Sequence, residues 1–361
     1  MNSSQRNVLL IAYDEHLILS FLYCLRKEPG YRYYLLTHKA KSSAGWSRYL
    51  KDVHFYKDYS ELERVIPECL RKWDIDVLMP IGEKESLEVS RNRETLEKLC
   101  KVMPLTDPEH FKIATNTKAL NQFLLKQELP LMSATLDLDA PNFENRLETF
   151  PFPALLKPAQ GAFGSGIVTM HTKADLESYL LKNEVDKEGF YLQEYVEGND
   201  INFNVICKDG DILHYSYQES PPKQLGNYNK NDDLIFKDDP AVVETMRPML
   251  KALNYQGVAC IDIRRNPAGK IYLLEINARF WGSMMASMTK AGVNFPLLML
   301  KLTVDEIAPS YQRKEGSQLS LQSFVKQFLG FKWPELKQLK YWPYLNDPMA
   351  RIMKFWYQKF K

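Results

Sequence analysis

The chain has little cysteine, almost no net charge and no long apolar run, and each shortage excludes a class of protein. Its 361 residues include five cysteines, Cys24, Cys69, Cys100, Cys207 and Cys260, none near another and none grouped with histidine. That spacing offers no zinc site and no disulfide framework, and it fits a reducing compartment. Forty-seven Lys and Arg against 45 Asp and Glu leave a formal charge of +2, which argues against a dedicated nucleic-acid binder. No stretch approaches the roughly 18 apolar residues of a membrane span. Val8-Leu9-Leu10-Ile11-Ala12 comes nearest to a signal core, but Asp14 and Glu15 cut it short and no small-residue cleavage site follows. The expected location is cytoplasmic. Repeats, low-complexity tracts and any Ser-His-Asp or Cys-His grouping are also missing, so nothing points to a covalent enzyme intermediate.

What is present is ordinary in bulk, at 45% hydrophobic and 25% charged residues, and long enough for two or three lobes. Apolar runs at 6–13, 31–37 and 76–81 read as strands, separated by helical patterns over 15–27 and 59–73 and followed by one over 83–99. This alternation predicts a small parallel-sheet lobe. The first strand-to-helix turn, Tyr13-Asp14-Glu15-His16, has no glycine, so it lacks the fingerprint by which a dinucleotide pyrophosphate approaches the backbone. Further on, a helix is expected over 107–127, strands over 150–158, 167–170 and 190–196, and a helix over 173–181 between the last two. An antiparallel pair over 201–207 and 212–218 turns at Asp209-Gly210. Residues 220–239 read as a polar loop, 242–253 as a helix and 291–302 as another.

The most informative stretch runs from Cys260 to Ser283 and reads as a hairpin, with strands up to Ile263 and over 271–276 and a turn at 266–269. Period-two alternation puts Glu275 and Asn277 on one face, with Arg279 next in phase, and Asp262 on the paired strand can join them. Two carboxylates and an amide oxygen suit Mg²⁺ beside phosphates. A neighbouring arginine suits a phosphoryl group in transfer. An amphipathic hairpin with a wet polar face is the plainer alternative. Against it, these residues sit among Leu273, Leu274, Ile276 and Phe280, and buried charge needs a partner.

Two weaker patterns precede the hairpin. Lys157 ends a strand that runs into the glycine-rich Ala159–Gly166, where backbone N–H groups can turn toward an anion; an ordinary flexible turn would look similar. Gln193-Glu194-Tyr195-Val196-Glu197-Gly198-Asn199-Asp200 is a strand stopping at glycine, able to wall an adenine and offer an acid to ribose hydroxyls.

Taken in this order, the strand lysine and glycine flap, the Gln-Glu-Tyr-Val-Glu-Gly hinge and Asp…Glu-x-Asn-x-Arg resemble the ATP-grasp superfamily. Glu-Ile-Asn-Ala-Arg-Phe-Trp-Gly-Ser is most similar to its carbamoyl-phosphate-synthase-like carboxylate-amine ligases. The resemblance covers nearly the whole chain. It implies a mixed α/β and α+β architecture, an ATP-grasp fold behind an N-terminal parallel-sheet (Rossmann-like, pre-ATP-grasp) lobe. That lobe would span 1–105. The ATP-grasp domain would span 106–308, with a small lobe to 190 carrying the flap and a large lobe from 191 carrying the metal site.

By the same resemblance, Lys118, Lys157, Gly161, Gly164, Ser165 and Gly166 would hold ATP phosphates. Gln193, Glu194 and Val196 would hold adenine and Asp200 the ribose. Asp262, Glu275 and Asn277 would bind one or two Mg²⁺, with Mn²⁺ as a substitute, and Arg279, with Lys157, would act on the phosphoryl group. The implied activity joins a small-molecule carboxylate to an amine through an acyl-phosphate. Bicarbonate activation by a carboxylase or carbamoylating enzyme and a non-catalytic ATP-binding module are the alternatives, and a homodimer is compatible with either. Many members carry Glu where this chain has Gln193. The segment Glu219-Ser220-Pro221-Pro222-Lys223-Gln224-Leu225-Gly226-Asn227 departs from the arginines, paired glycines and serine of related carboligases, which bears on the acceptor pocket. Substrate choice is expected around Gly82-Glu83-Lys84 and in the 220–239 segment.

The tail over 309–361 interleaves ten Lys and Arg with Phe324, Phe328, Phe331, Trp333, Trp342, Phe355, Trp356 and Phe360, against only Glu315, Glu335 and Asp347. Such a pattern fits either an element lying on an anionic bilayer or one packed on the catalytic lobe.

Overall fold

In the computed structural model, which describes residues 5–38, 42–159, 166–220, 225, 233–340 and 347–359, the chain builds three sheets. Strands β1 (Arg6–Ile11), β2 (Tyr31–Thr37), β3 (Leu50–Phe55), β4 (Val77–Pro80) and β5 (Lys101–Val102) form the first, all parallel, in the order β3-β2-β1-β4-β5. Val8 to Ile11 are fully buried, as a central parallel strand covered on both faces requires. Asp14 caps the next helix, Glu15–Leu25, by accepting from the His16 and Leu17 N–H groups. The strand order switches direction between the parallel neighbours β1 and β4, so the turns after these strands, Tyr13-Asp14 and Gly82-Glu83, flank the crevice where open parallel sheets bind ligands.

The second sheet is antiparallel and small: β6 (Thr135–Asp137), β7 (Ala154–Pro158), β8 (Val168–Met170) and β9 (Phe190–Glu194), in the order β6-β9-β7-β8. Leu136, Leu156, Met170, Leu176 and Leu192 make its own core. The third sheet comprises β10 (Asn199–Lys208), β11 (Asp211–Glu219), β12 (Leu234–Lys237), β13 (Gly257–Arg265), β14 (Ile271–Asn277) and β15 (Gly316–Gln318), in the order β14-β13-β10-β11-β12-β15. Asp209 and Gly210 both adopt positive φ, which gives the two-residue β10–β11 turn the handedness that matches strand twist.

Several elements differ from the sequence reading. The helices expected over 83–99 and 107–127 are each divided, into Glu83–Arg91 with Arg93–Leu96 and into Pro108–Thr115 with Thr117–Lys126. Asn116 leaves helical geometry and caps the last of these, accepting from the Ala119 N–H. The Thr117 N–H then donates to the Ala159 carbonyl, tying that helix to the end of β7. The expected polar loop over 220–239 contains β12, where Leu234 and Phe236 alternate inward; most of the remainder lies outside the described residues. The helix expected over 291–302 starts at Phe295, capped by Asn294, because Gly292 adopts positive φ and separates it from Met284–Lys290. The short strands β3, β5, β6 and β15 gave no readable alternation.

The tail divides its contacts. Its first residues supply β15, pairing with β12. Its last helix, Pro348–Lys359, docks on the first lobe, where the Trp46 indole N–H donates to the Tyr357 hydroxyl at 3.1 Å and Asp347 accepts from Ser47. Among the described residues no helix is long and apolar enough to cross a membrane.

The second and third sheets meet at Gly198, between β9 and β10. Its φ is +146°, and a Cβ there would lie 1.9 Å from the Arg265 carbonyl oxygen. Gly198→Ala should therefore cost roughly 1–3 kcal/mol, read as a lowered midpoint in thermal unfolding. An unchanged melt would mean the hinge backbone relaxes freely.

Candidate active site

The β13–β14 hairpin carries the first cluster. Asp262 is the direct cross-strand partner of Glu275, and Cys260 that of Asn277. A bulge makes this face coherent. Ile263 pairs with Leu273 rather than Leu274, so Leu274 is an extra residue and the alternation resets. Leu273 and Ile276 can then both enter the core beneath while Glu275 and Asn277 stay on the other face with Asp262.

That polar face continues across four strands. Asn202 on β10 pairs with Asp262 and with Gln218 on β11, so Glu275, Asp262, Asn202 and Gln218 form one row. Hydrogen bonds follow it: the Asn202 amide donates to Asp262, the Gln218 amide donates to Asn202 Oδ1 at 2.8 Å, and the Ser283 hydroxyl donates to Gln218 Oε1 at 2.9 Å. Asn204 and Ser216 make the next row. Sequence reasoning took β10 and β11 only as an antiparallel pair. The alternation Asn202-Phe203-Asn204 facing Ser216-Tyr217-Gln218 was the signal available.

Burial and the facing Glu275 carboxylate push the Asp262 carboxyl well above the usual range. Asn277 Nδ2 donates to Glu275 Oε1 at 3.1 Å. Arg279 donates to Asn277 Oδ1 at 3.1 Å and to the Phe280 carbonyl at 2.9 Å, which holds the guanidinium beside the carboxylates. The first lobe adds Glu83 at the start of its helix. Burial raises its carboxyl group, and the Arg279 charge and a hydrogen bond from the Ala278 N–H oppose that rise. Among the described residues no cluster of three or more His, Cys, Asp or Glu is arranged to hold a metal. The acidic group here is a pair supplemented by an amide.

The second cluster lies in the small sheet. Lys157 on β7 is buried, and its ammonium donates to Gln193 Oε1 on β9 at 2.9 Å while lying 5.8 Å from the Tyr191 ring centre. The Gln193 amide nitrogen and the Tyr191 hydroxyl are buried with no hydrogen-bond partner among the described residues. An unsatisfied buried polar group costs about 1–3 kcal/mol, and a buried ammonium resting on a neutral amide is costlier still. This cluster has the donors a nucleotide would satisfy.

Other expected residues are partly engaged within the protein. The Asp200 carboxylate accepts a forked contact from Arg264, its cross-strand partner, which also donates to the Val196 carbonyl at 2.9 Å. Glu194 Oε2 accepts from the Ala134 N–H at 3.2 Å. Lys118 reaches Asp139 at 2.6 Å and the Glu188 carbonyl at 3.4 Å. Gly166 is described, with a positive φ, whereas Gly161, Gly164 and Ser165 lie outside the described residues. Arg264, which ties the hinge to Asp200, was not singled out from sequence.

A family model for ATP-grasp proteins "in the biosynthetic pathway with Ter operon" matches residues 187–326, which contain β10 to β15 and both carboxylates. The stretch so matched is less than half of the chain, and over it the chain is similar to ATP-grasp proteins. Among curated relatives, the D-alanine–D-alanine ligase of Aquifex aeolicus is 27% identical over 137 residues, 35% of this chain and 45% of that enzyme. The D-alanine–D-alanine ligase of Petrotoga mobilis is 26% identical over 218 residues, 54% of this chain and 69% of that enzyme. The match thus spans less than half the Aquifex enzyme. Solved ATP-grasp structures share the fold across most of the chain. An L-amino acid ligase from Bacillus licheniformis superposes with a TM-score of 0.66 at 18% identity, covering 84% of this chain and 75% of that one. A biotin carboxylase from Campylobacter jejuni, in complex with β,γ-ATP, gives 0.69 at 16% identity, covering 86% and 74%.

The raised Asp262 carboxyl group has a stability consequence. A group that binds its proton more tightly when folded contributes stability at low pH, and that contribution is lost as pH rises through its folded-state value. Above neutrality, in the absence of divalent cation, Asp262→Asn should raise the melting temperature by a few degrees, about 1 kcal/mol, and the gain should vanish near pH 4. Equal melts at both pH values would mean that the two acids do not strain the fold.

Proposed function

We propose that this ATP-grasp protein is an ATP-dependent ligase that phosphorylates a small-molecule carboxylate and lets an amine displace the phosphate. The observation that carries the reading is the in-register Asp262–Glu275 pair flanked by Asn277 and Arg279. A carboxylate is a poor electrophile because oxide is a poor leaving group. Transfer of the γ-phosphoryl group forms a carboxyl-oxygen-to-phosphorus bond and breaks the bond to ADP. The amine nitrogen then bonds to the acyl carbon, phosphate departs with the C–O electron pair, and the amine loses a proton to give an amide.

In this reading Asp262, Glu275 and Asn277 supply oxygens to one or two Mg²⁺, or Mn²⁺ in its place. The cation would neutralise phosphate charge and relieve the repulsion between the two acids. Arg279 steadies the phosphoryl group in flight and the acyl-phosphate oxygens. Lys157 supplies a buried positive charge to phosphate, and Gly161, Gly164, Ser165 and Gly166 cover it. Gln193, Glu194 and Val196 line the base. The orphaned Gln193 amide supports that assignment, since it has a donor to give. Asp200 accepts from ribose hydroxyls while Arg264 fixes its orientation. Lys118 joins the phosphates by leaving Asp139. We assign the chain three parts, 1–105, 106–308 and 309–361, with Glu83 bringing the first to the acceptor side of the reaction.

Amino acids are the first carboxylates and amines to try, because the relatives are named as D-alanine and L-amino acid ligases. Activation of bicarbonate is a second reading, supported by the fold shared with a biotin carboxylase. Phosphate release from Mg·ATP, measured with an amino-acid panel and with bicarbonate, separates the two. Glu275→Gln and Arg279→Met should each lower the stimulated rate by roughly 10²–10³-fold. Lys157→Met should raise the KM for ATP about tenfold or more. If ATP binds and no acid stimulates its hydrolysis, the ligase reading ends and a binding module remains.

A further inference from the structure

We propose that the helix Leu321–Leu329 and the turn after it form a docking surface for an anionic lipid bilayer. Leu321, Phe324, Val325, Phe328 and Leu329 recur at the spacing of one helical face, yet no residue of this helix is buried. Leu329 is 71% exposed, and the turn adds Phe331 at 85% and Trp333 at 75%. The rings of Phe328 and Trp333 meet edge to face with centres 5.0 Å apart, which gathers the aromatics at the surface.

The helix is attached to the body of the protein by polar groups. Asp233, just before β12, accepts from the Ser320 N–H at 2.7 Å and from the Ser323 hydroxyl. A surface helix of a globular protein ordinarily turns its apolar stripe to the core and its polar residues to water. Here a polar anchor holds the helix while the apolar stripe is left outside.

Charge selects the occupant. Residues 309–361 carry ten Lys and Arg against three Asp and Glu, whereas residues 1–308 carry 37 against 42. Lys326 and Lys332 flank the exposed aromatics, and neither makes an ion pair among the described residues. A second copy would bring the same basic face against itself and be repelled. An anionic bilayer attracts the lysines, whose stems can lie along the apolar zone, and takes Trp and Phe at headgroup depth. The surface is separate from the Asp262 cluster, so it would hold a soluble catalytic body at a membrane without altering its chemistry.

The test is co-sedimentation of the full-length protein with phosphatidylcholine vesicles, with and without about one-third phosphatidylglycerol. Recovery with the anionic vesicles, a blue shift of tryptophan emission and release by high salt are expected. Each basic residue near such a surface supports about fivefold in partitioning, so joint Lys326→Glu and Lys332→Glu should reduce it at least tenfold. Phe331→Ser with Trp333→Ser should also release the protein. All four positions are exposed, so melting temperature and ATP turnover without vesicles should stay unchanged. Should a variant melt lower, the unmodified protein decides, and binding that ignores salt overturns the proposal. Equal recovery in the supernatant with both vesicle types overturns it as well. So does a loss of self-association in the variants without vesicle binding, which would assign the face to a second copy.

Discussion

Two carboxylates on adjacent strands, side by side and largely withdrawn from water, are the constraint around which this protein is arranged. Burial and the facing Glu275 carboxylate make the ionised form of Asp262 costly. In the proposed ligase a divalent cation would turn the same geometry to use, because like charges held side by side offer a shared counter-charge site without prior reorganisation. The neighbouring amide of Asn277 and the guanidinium of Arg279 extend the arrangement toward an anionic ligand.

Much of the third sheet serves to hold that pair in place. The extra residue at Leu274 lets one strand bury Leu273 and Ile276 and still turn Glu275 outward. The chain through Asn202, Gln218 and Ser283 gives Asp262 a hydrogen-bonded support that spans three strands and the turn after β14. A polar row in a sheet interior is costly unless each member is satisfied, and here donors and acceptors follow one another. Asn204 Oδ1, buried without a partner among the described residues, is the exception, and it sits one row away from the acids.

The small sheet meets the complementary requirement. Lys157 is a cation sunk among apolar residues with a neutral amide for company, and the Gln193 amide beside it has an unused donor. The small sheet thus offers donors and the third sheet acceptors, the pattern that the proposed reaction with a polyanion and its metal would require. Arg264 links the two sheets by gripping Asp200 and the Val196 carbonyl on either side of Gly198. The tail lies outside this logic. Its charge is opposite in sign to that of the rest of the chain, and its apolar stripe faces outward.

The sequence by itself determined what local periodicity and composition can determine. The parallel first lobe, the β10–β11 and β13–β14 hairpins and the common face of Glu275 and Asn277 were legible, because strand alternation and turn residues are short-range properties. The order of motifs along the chain was sufficient for the ATP-grasp resemblance. Strands of two to four residues such as β5 and β12 were not legible, since too few positions alternate to stand out from a loop. Nor was the bulge at Leu274, because only a partner strand defines which residue is extra. The Asp262–Glu275 register depends on that bulge, and the Asn202–Gln218–Ser283 support, the Arg264 clasp and the approach of Glu83 join residues far apart in the chain. Tertiary structure alone decided these, because hydrogen bonding and charge depend on distance in space, and alternation says which face a side chain takes but not what it meets there.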